Sequence, residues 1–212
     1  MFKKIIFFTL FSFSMLTHAA DVSEQDRARG YSVLSIAQPT VDKNKVEVIE
    51  FFWYGCPHCY QVEPLINAWL KTKPKNVVFI RQPAAFSETW AKHAKVYYVA
   101  EALNVLDKVH ADFFDAIQNK NQKLETEEEL VKFFVAHGVK EAAVHEAYKS
   151  FGVHTKMAQA TAMAPRYGIT GVPTLIINGK YVTSGSIAGN HENMIAVLNK
   201  LIAQESKSSP SK

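Results

Sequence analysis

Glu50-Phe51-Phe52-Trp53-Tyr54-Gly55-Cys56-Pro57-His58-Cys59 decides the reading of this chain, because it contains the only two cysteines. Residues 47–53 are short, mostly apolar and β-favouring, which predicts a buried strand. Tyr54-Gly55 can turn the chain, and Pro57 suits the first position of a helix. Cys56 then falls at a helix N-terminus, where the macrodipole and free backbone N–H groups favour a thiolate. A structural disulfide framework needs more cysteines at wider spacing, and a four-thiolate zinc site needs a second pair. Closing a loop of two residues constrains the unfolded chain little, so this pair is a poor staple. It reads as redox chemistry, with Cys56 the exposed nucleophile and Cys59, one turn into the helix, the resolving thiol.

The N-terminus places that chemistry outside the cytoplasm. Met1-Phe2-Lys3-Lys4 is a short basic segment before an apolar run from Ile5 to Leu16, and Thr17-His18-Ala19 offers small residues for cleavage. That layout predicts a signal peptide over residues 1–19. The run is about 12 residues, short of the roughly 20 that a membrane span needs. The formal net charge of +4 includes Lys3 and Lys4. The remaining excess is small and dispersed, with no basic cluster carrying interleaved aromatics, which argues against a nucleic-acid partner.

Outward from the Cys-Pro-His-Cys stretch, apolar positions Val62, Leu65, Ile66, Trp69 and Leu70 predict a helix, with Pro64 expected to kink it. Val77–Arg81 predicts a second strand that ends before Pro83, completing a βαβ unit. From Ser87 to Ala164 strand signals disappear. Successive amphipathic patterns predict helices there, one opened by a capping box over Thr126–Glu129 and stopped at Gly138, and two more over 141–151 and 154–167 before Gly168. Strand signals return at Val172–Ile177 and Lys180–Thr183, joined by Asn178-Gly179, the signature of a two-residue type I′ hairpin. A last helix is expected from His191, and residues 205–212 read as a disordered tail. The fold class is α/β: a thioredoxin fold (βαβ plus ββα) interrupted by an inserted helical subdomain. Its expected divisions are 20–86 and 165–204 for the thioredoxin-like part and 87–164 for the insertion.

Single residues carry alternatives. His58 is either a polar loop residue or a group that lowers the Cys56 pKa. Pro173 is either an ordinary turn proline or a cis proline beside the dithiol. Glu50 is a carboxylate in an apolar strand, so it is paired, shifted in pKa, or reaching water from the strand end. His93, His110, His137, His145, His154 and His191 show no metal-ligand spacing and are expected at the surface or at helix ends; no metal and no cofactor are expected.

Glu50-Phe51-Phe52, Cys56-Pro57-His58-Cys59-Tyr60-Gln61, Gly171-Val172-Pro173-Thr174 and Asn178-Gly179-Lys180-Tyr181, around the helical insertion, resemble the DsbA family of periplasmic thiol:disulfide oxidases. The resemblance covers essentially the whole chain after the signal peptide. It implies that Cys56, Cys59, His58, Pro57 and Glu50 serve catalysis, Glu50 as the buried acid that handles the Cys59 proton. It implies that Val172 and a cis Pro173 present backbone groups to an extended substrate peptide. Arg81 stands where that family often has a lysine partnering the acid; its charge is kept, but its proton is not readily lost. The implied protein is a periplasmic monomer that oxidises reduced secreted proteins and is itself reoxidised by a DsbB-type membrane quinone reductase. A disulfide isomerase or reductase of the same fold is the alternative, although such proteins usually carry a dimerisation domain. A metal-binding module lacks further ligands, and a glutathione-dependent transferase needs no Cys59.

Overall fold

The computed structural model describes residues 23–208; the expected signal peptide lies outside them. Helix α1 (Glu24–Arg29) and a two-residue strand β1 (Ser32–Val33), neither predicted from sequence, lead into β2 (Val46–Phe52). Then come α2 (Pro57–Thr72), β3 (Val77–Pro83), and five helices: α3 (Glu88–Ala102), α4 (Leu106–Gln118), α5 (Glu127–Ala136), α6 (Glu141–Lys149) and α7 (Phe151–Arg166). The chain returns through β4 (Thr174–Ile177), β5 (Tyr181–Ser184), α8 (Gly185–Ala188) and α9 (His191–Ser208). The five strands form one sheet in the order β1-β5-β4-β2-β3, with β2 and β3 parallel and the other pairs antiparallel.

Strand β2 is buried at every position. A central strand covered on both faces has no solvent side, so its sequence is a run of apolar residues rather than an alternation. The period of two still sorts its side chains. Val46 and Val48 pack with Val62, Ile66, Leu198 and Leu201 of α2 and α9, while Ile49 and Phe51 pack with Ala164, Tyr167 and Ile169 on the other face. Glu50 shares the parity of Val48 and so faces α2. Phe52 and Tyr54 join Cys59 in a third apolar cluster with Phe113, Phe114 and Phe134 of the five-helix segment. That cluster ties the dithiol to the helices.

Several boundaries differ from the sequence expectation. Strand β3 runs on through Pro83, which pairs with Phe52; β3 is the sheet's edge, where a missing N–H breaks no ladder bond. Helix α7 starts at Phe151 rather than 154, because Ser150 accepts a hydrogen bond from the Val153 N–H and caps it. The capping box at Thr126 and Glu129 is formed. Asn178 and Gly179 both have positive φ, 51° and 63°, as a type I′ turn requires. The tail from residue 205 is not disordered at its start: α9 continues to Ser208. Glu205 is buried and accepts hydrogen bonds from Asn178, Lys180 and Tyr181, which holds the last turn against the hairpin.

Candidate functional site

Strand β2 stops at Phe52, and the next four residues turn the chain to begin α2 at Pro57. The Cys56 N–H donates to the Trp53 carbonyl at 3.0 Å. Cys56 is the N-cap of α2, in extended backbone geometry, and Pro57 occupies its first turn. A Cβ at Gly55 would overlap the Trp53 indole, so only glycine fits this turn. Trp53 is held from two sides. It stacks on Trp90 at 4.3 Å with a 10° interplanar angle, and its Nε1–H donates to His93 Nδ1 at 3.0 Å. His93 Nε2 in turn meets the Lys123 carbonyl at 2.8 Å, which fixes its tautomer.

Both cysteines are free thiols, Cys56 half-buried and Cys59 fully buried. The two sulfurs are driven apart in acidity. The Cys56 pKa is brought down to about 6, first by a hydrogen bond from the Cys59 thiol, then by the backbone N–H groups of Cys59 and His58 and by the His58 charge, all against a burial effect that would raise it. Burial pushes the Cys59 thiol well above its ordinary value, and the neighbouring Cys56 adds to that. At neutral pH the outer sulfur is mainly thiolate and the inner one mainly thiol. His58 is exposed and its Nδ1 lies 3.2 Å from Gln61 Oε1, so it contributes less to the Cys56 pKa than the helix end does.

Across from the dithiol, the Val172–Pro173 peptide bond is cis, and the Val172 carbonyl lies 3.5 Å from Cys56 Sγ, where it accepts a hydrogen bond from the thiol form. This loop borders an open groove of about 1110 Å³ lined by His58, Gly171, Val172, Pro173, Ser186 and His191. Val172, 116 residues further along the chain, thus meets the Cys56 sulfur.

Behind Cys59 lies a buried polar chain. Glu50 and Arg81 are register partners on β2 and β3, and Arg81 Nε sits 3.2 Å from Glu50 Oε2. The contact is one of charge only, because neither Glu50 oxygen has a hydrogen-bond partner. Arg81 Nη2 donates instead to Glu63 Oε2 at 3.0 Å and to Asn67 Oδ1 at 3.1 Å. Burial, and then the Glu63 charge, push the Glu50 pKa up to about 8 against the pull of Arg81. Burial also resists ionisation of Glu63, but its contacts with His110 and Arg81 outweigh this and hold its pKa below the ordinary carboxylate value. Glu50 therefore stays largely protonated at neutral pH, and Glu63 is the ionised partner of Arg81.

Sequence reasoning placed Glu50 and Arg81 but missed Glu63, His110, Tyr54 and His93. Glu63 had a usable signal: it follows Cys59 by four residues on the buried face of α2, among Val62, Ile66 and Trp69. The histidines had none. His93 and His110 are buried rather than superficial, because each has both ring nitrogens partnered. Among the described residues no group of three or more His, Cys, Asp or Glu side chains could hold a metal ion.

The chain also matches known proteins. Residues 47–192 match the DSBA-like thioredoxin domain. The chain is 43% identical over 195 residues to a thiol:disulfide interchange protein DsbA of Azotobacter vinelandii, covering 91% of each chain. It is 39% identical over 193 residues to that of Pseudomonas syringae, covering 91% of this chain and 89% of the relative. The crystal structure of Pseudomonas aeruginosa DsbA superposes with a TM-score of 0.81 at 37% identity, over 85% of this chain and 94% of the other. A DsbA oxidoreductase from Xylella fastidiosa superposes at 0.77 and 28% identity, over 83% and 95%. With a thiolate-favouring Cys56 at a helix end and a buried thiol behind it, this chain belongs to the DSBA-like thioredoxin family and is a protein thiol:disulfide oxidoreductase.

Proposed function

We propose that the chain is exported by way of residues 1–19, works in the periplasm as a monomer, and donates the Cys56–Cys59 disulfide to reduced secreted proteins. In this reading residues 20–86 and 165–204 form the thioredoxin-like part and 87–164 the inserted helical subdomain. A substrate thiolate attacks Cys56 Sγ and breaks the Cys56–Cys59 bond, giving a mixed disulfide. The substrate's second thiolate then attacks its own sulfur in that bond, so the substrate leaves oxidised and both electrons remain on the enzyme dithiol. The observation that carries the reading is the split between the sulfurs. A Cys56 pKa near 6 makes this sulfur a good leaving group and a stable product of the reaction.

Pro57 starts the helix whose N–H groups face Cys56, and His58, at the exposed side, helps to lower the Cys56 pKa. Val172 and Pro173 border the groove in which an extended peptide would lie, with the Val172 carbonyl already within reach of Cys56 Sγ. Reoxidation runs the chemistry in reverse: Cys56 attacks a disulfide of a DsbB-type membrane quinone reductase, and Cys59 closes the mixed disulfide. Glu50, whose charge is felt at Cys59, takes the Cys59 proton in that step from its ionised form, the minor one at neutral pH. Arg81 keeps the Glu50 site from being uniformly negative.

The deciding experiment is Cys59→Ser in cells. It is expected to accumulate mixed disulfides between Cys56 and exported proteins, seen by mass spectrometry of the purified variant. Adducts through any other route, with Cys56 free, would overturn the assignment.

A further inference from the structure

His110 on α4 is 7% exposed and partnered at both ring nitrogens. Its Nδ1 lies 2.7 Å from the Tyr54 hydroxyl and its Nε2 lies 3.4 Å from Glu63 Oε1. Glu63 Oε2 accepts from Arg81, whose Nε meets Glu50. Glu50 and His110 therefore stand at the two ends of one buried chain of ionisable groups. That chain has two carboxylates and one cation that keeps its proton. With both carboxylates ionised and His110 neutral, it carries one uncompensated negative charge away from water, an unfavourable state. One extra proton makes it neutral. Glu63 is held ionised by its partners, and the Tyr54 phenol already bears its proton, its pKa driven far up by burial. The proton can rest on Glu50 or on His110.

We propose that His110 is the second resting place of this proton, and thereby a positioning residue that frees Glu50 to accept the proton of Cys59. The proposal rests on Cys59 closing mixed disulfides with Glu50 as its proton acceptor. Both placements leave the buried chain neutral, so moving between them adds no net charge to the interior. The groups facing His110 are Glu63 of α2, Arg81 of β3 behind it, Tyr54 of the β2–α2 turn, Tyr97 of α3, and Asp107 of its own helix. Phe52 and Phe114 close the remaining sides. Burial favours the neutral imidazole, so the proton rests mostly on Glu50 and the imidazolium form is the minor, reactive one. In that form the Cys59 Sγ–H proton goes to ionised Glu50, by way of a bridging water because no hydrogen bond joins the two side chains directly. The Cys59 sulfur lone pair forms the bond to Cys56 Sγ, the bond from Cys56 to the partner sulfur breaks, and the partner leaves as a thiolate. The buried chain then returns one proton to water, and the departing thiolate can take one up.

The test follows reduced protein mixed with oxidised glutathione in two phases: attack by Cys56, then release of the second glutathione by Cys59. His110→Gln keeps hydrogen-bonding groups beside Tyr54 and Glu63 but holds no proton. Glu50 can then ionise only by losing its proton outright, above a pKa of about 8. The second phase is expected to slow several-fold at about pH 6 to 7 and to recover towards the wild-type rate near about pH 9, while the first phase is unchanged. Glu50→Gln/His110→Gln is expected to be no slower than Glu50→Gln alone, because both changes act on one proton. If His110→Gln does not fold, His110→Asn carries the same expected profile. A second phase that parallels wild type at every pH, or a loss in both phases that persists at high pH, would overturn the role of His110. If Cys59→Ser traps nothing and Glu50→Gln runs at wild-type speed, it is instead the roles of Cys59 and Glu50 that fail.

Discussion

Glu50 and Arg81 face each other across the parallel β2–β3 pair with 3.2 Å between Oε2 and Nε, yet Arg81 gives its hydrogen bonds to Glu63 and Asn67. The cation is shared by two carboxylates and hydrogen-bonds only one. The other, Glu50, remains a buried acid with an elevated pKa beside the buried thiol.

This arrangement predicts that Glu50 costs stability in a pH-dependent way. Its folded pKa of about 8 lies above the ordinary glutamate value of 4.5. Between those values the unfolded chain releases a proton that the folded protein keeps, so stability falls as pH rises through the window. Glu50→Gln is expected to raise stability little at pH 4 and by on the order of 2 kcal/mol at pH 8. Urea melts at both pH values check this, and an equal gain at the two would refute it.

Cys56 predicts the opposite slope for the reduced protein. Its pKa falls from 9.0 to about 6 on folding, so the thiolate contributes stability that is complete above about pH 9 and lost as pH falls through about 6. Discounted for a half-exposed sulfur, the contribution is about 1 kcal/mol at pH 7. The reduced form is expected to be more stable than the oxidised form at neutral pH and to lose that lead on acidification. Cys59→Ala, which removes the largest cause of the shift, is expected to raise the Cys56 pKa more than His58→Ser does. Ultraviolet thiolate absorbance across pH measures both variants, and the reverse order would sink the assignment of causes.

Gly55→Ala places a methyl group against the indole of Trp53, which is pinned by Trp90 and His93. Since the ring cannot swing away freely, the variant is expected to lose about 1–3 kcal/mol and to change its tryptophan emission. Unaltered emission and an unaltered urea midpoint together would show that the indole is not held there.

Glu205 gathers three hydrogen bonds from the hairpin. Glu205→Ala leaves those donors to find water and is expected to cost about 1–3 kcal/mol, with the C-terminal turn of α9 exchanging its amide protons faster. Exchange rates over residues 200–208 that match wild type would show that the contacts carry no stability.

The local chemistry of the site was legible in the sequence. A Pro after Cys56 favours a helix start there, Asn178-Gly179 favours a hairpin turn by its backbone preference, and two cysteines separated by two residues make redox chemistry the natural use. Those features depend on neighbours within a few residues. The apolar run of β2 likewise announced a buried strand, because burial on both faces leaves no polar period.

What only the tertiary structure decided is which distant groups share the interior with those residues. Sequence spacing could not show that Val172 brings its carbonyl to Cys56, or that His93 locks the tryptophan before the dithiol. Nor could it show that His110, 47 residues after Glu63, closes a buried chain ending at Glu50. It also read Glu205 as tail, because a charged residue near the terminus looks solvated until the hairpin donors that surround it are in place. Charge and proton affinity in a low-dielectric interior depend on every group within a few ångströms. Chain folding, not chain order, sets that neighbourhood.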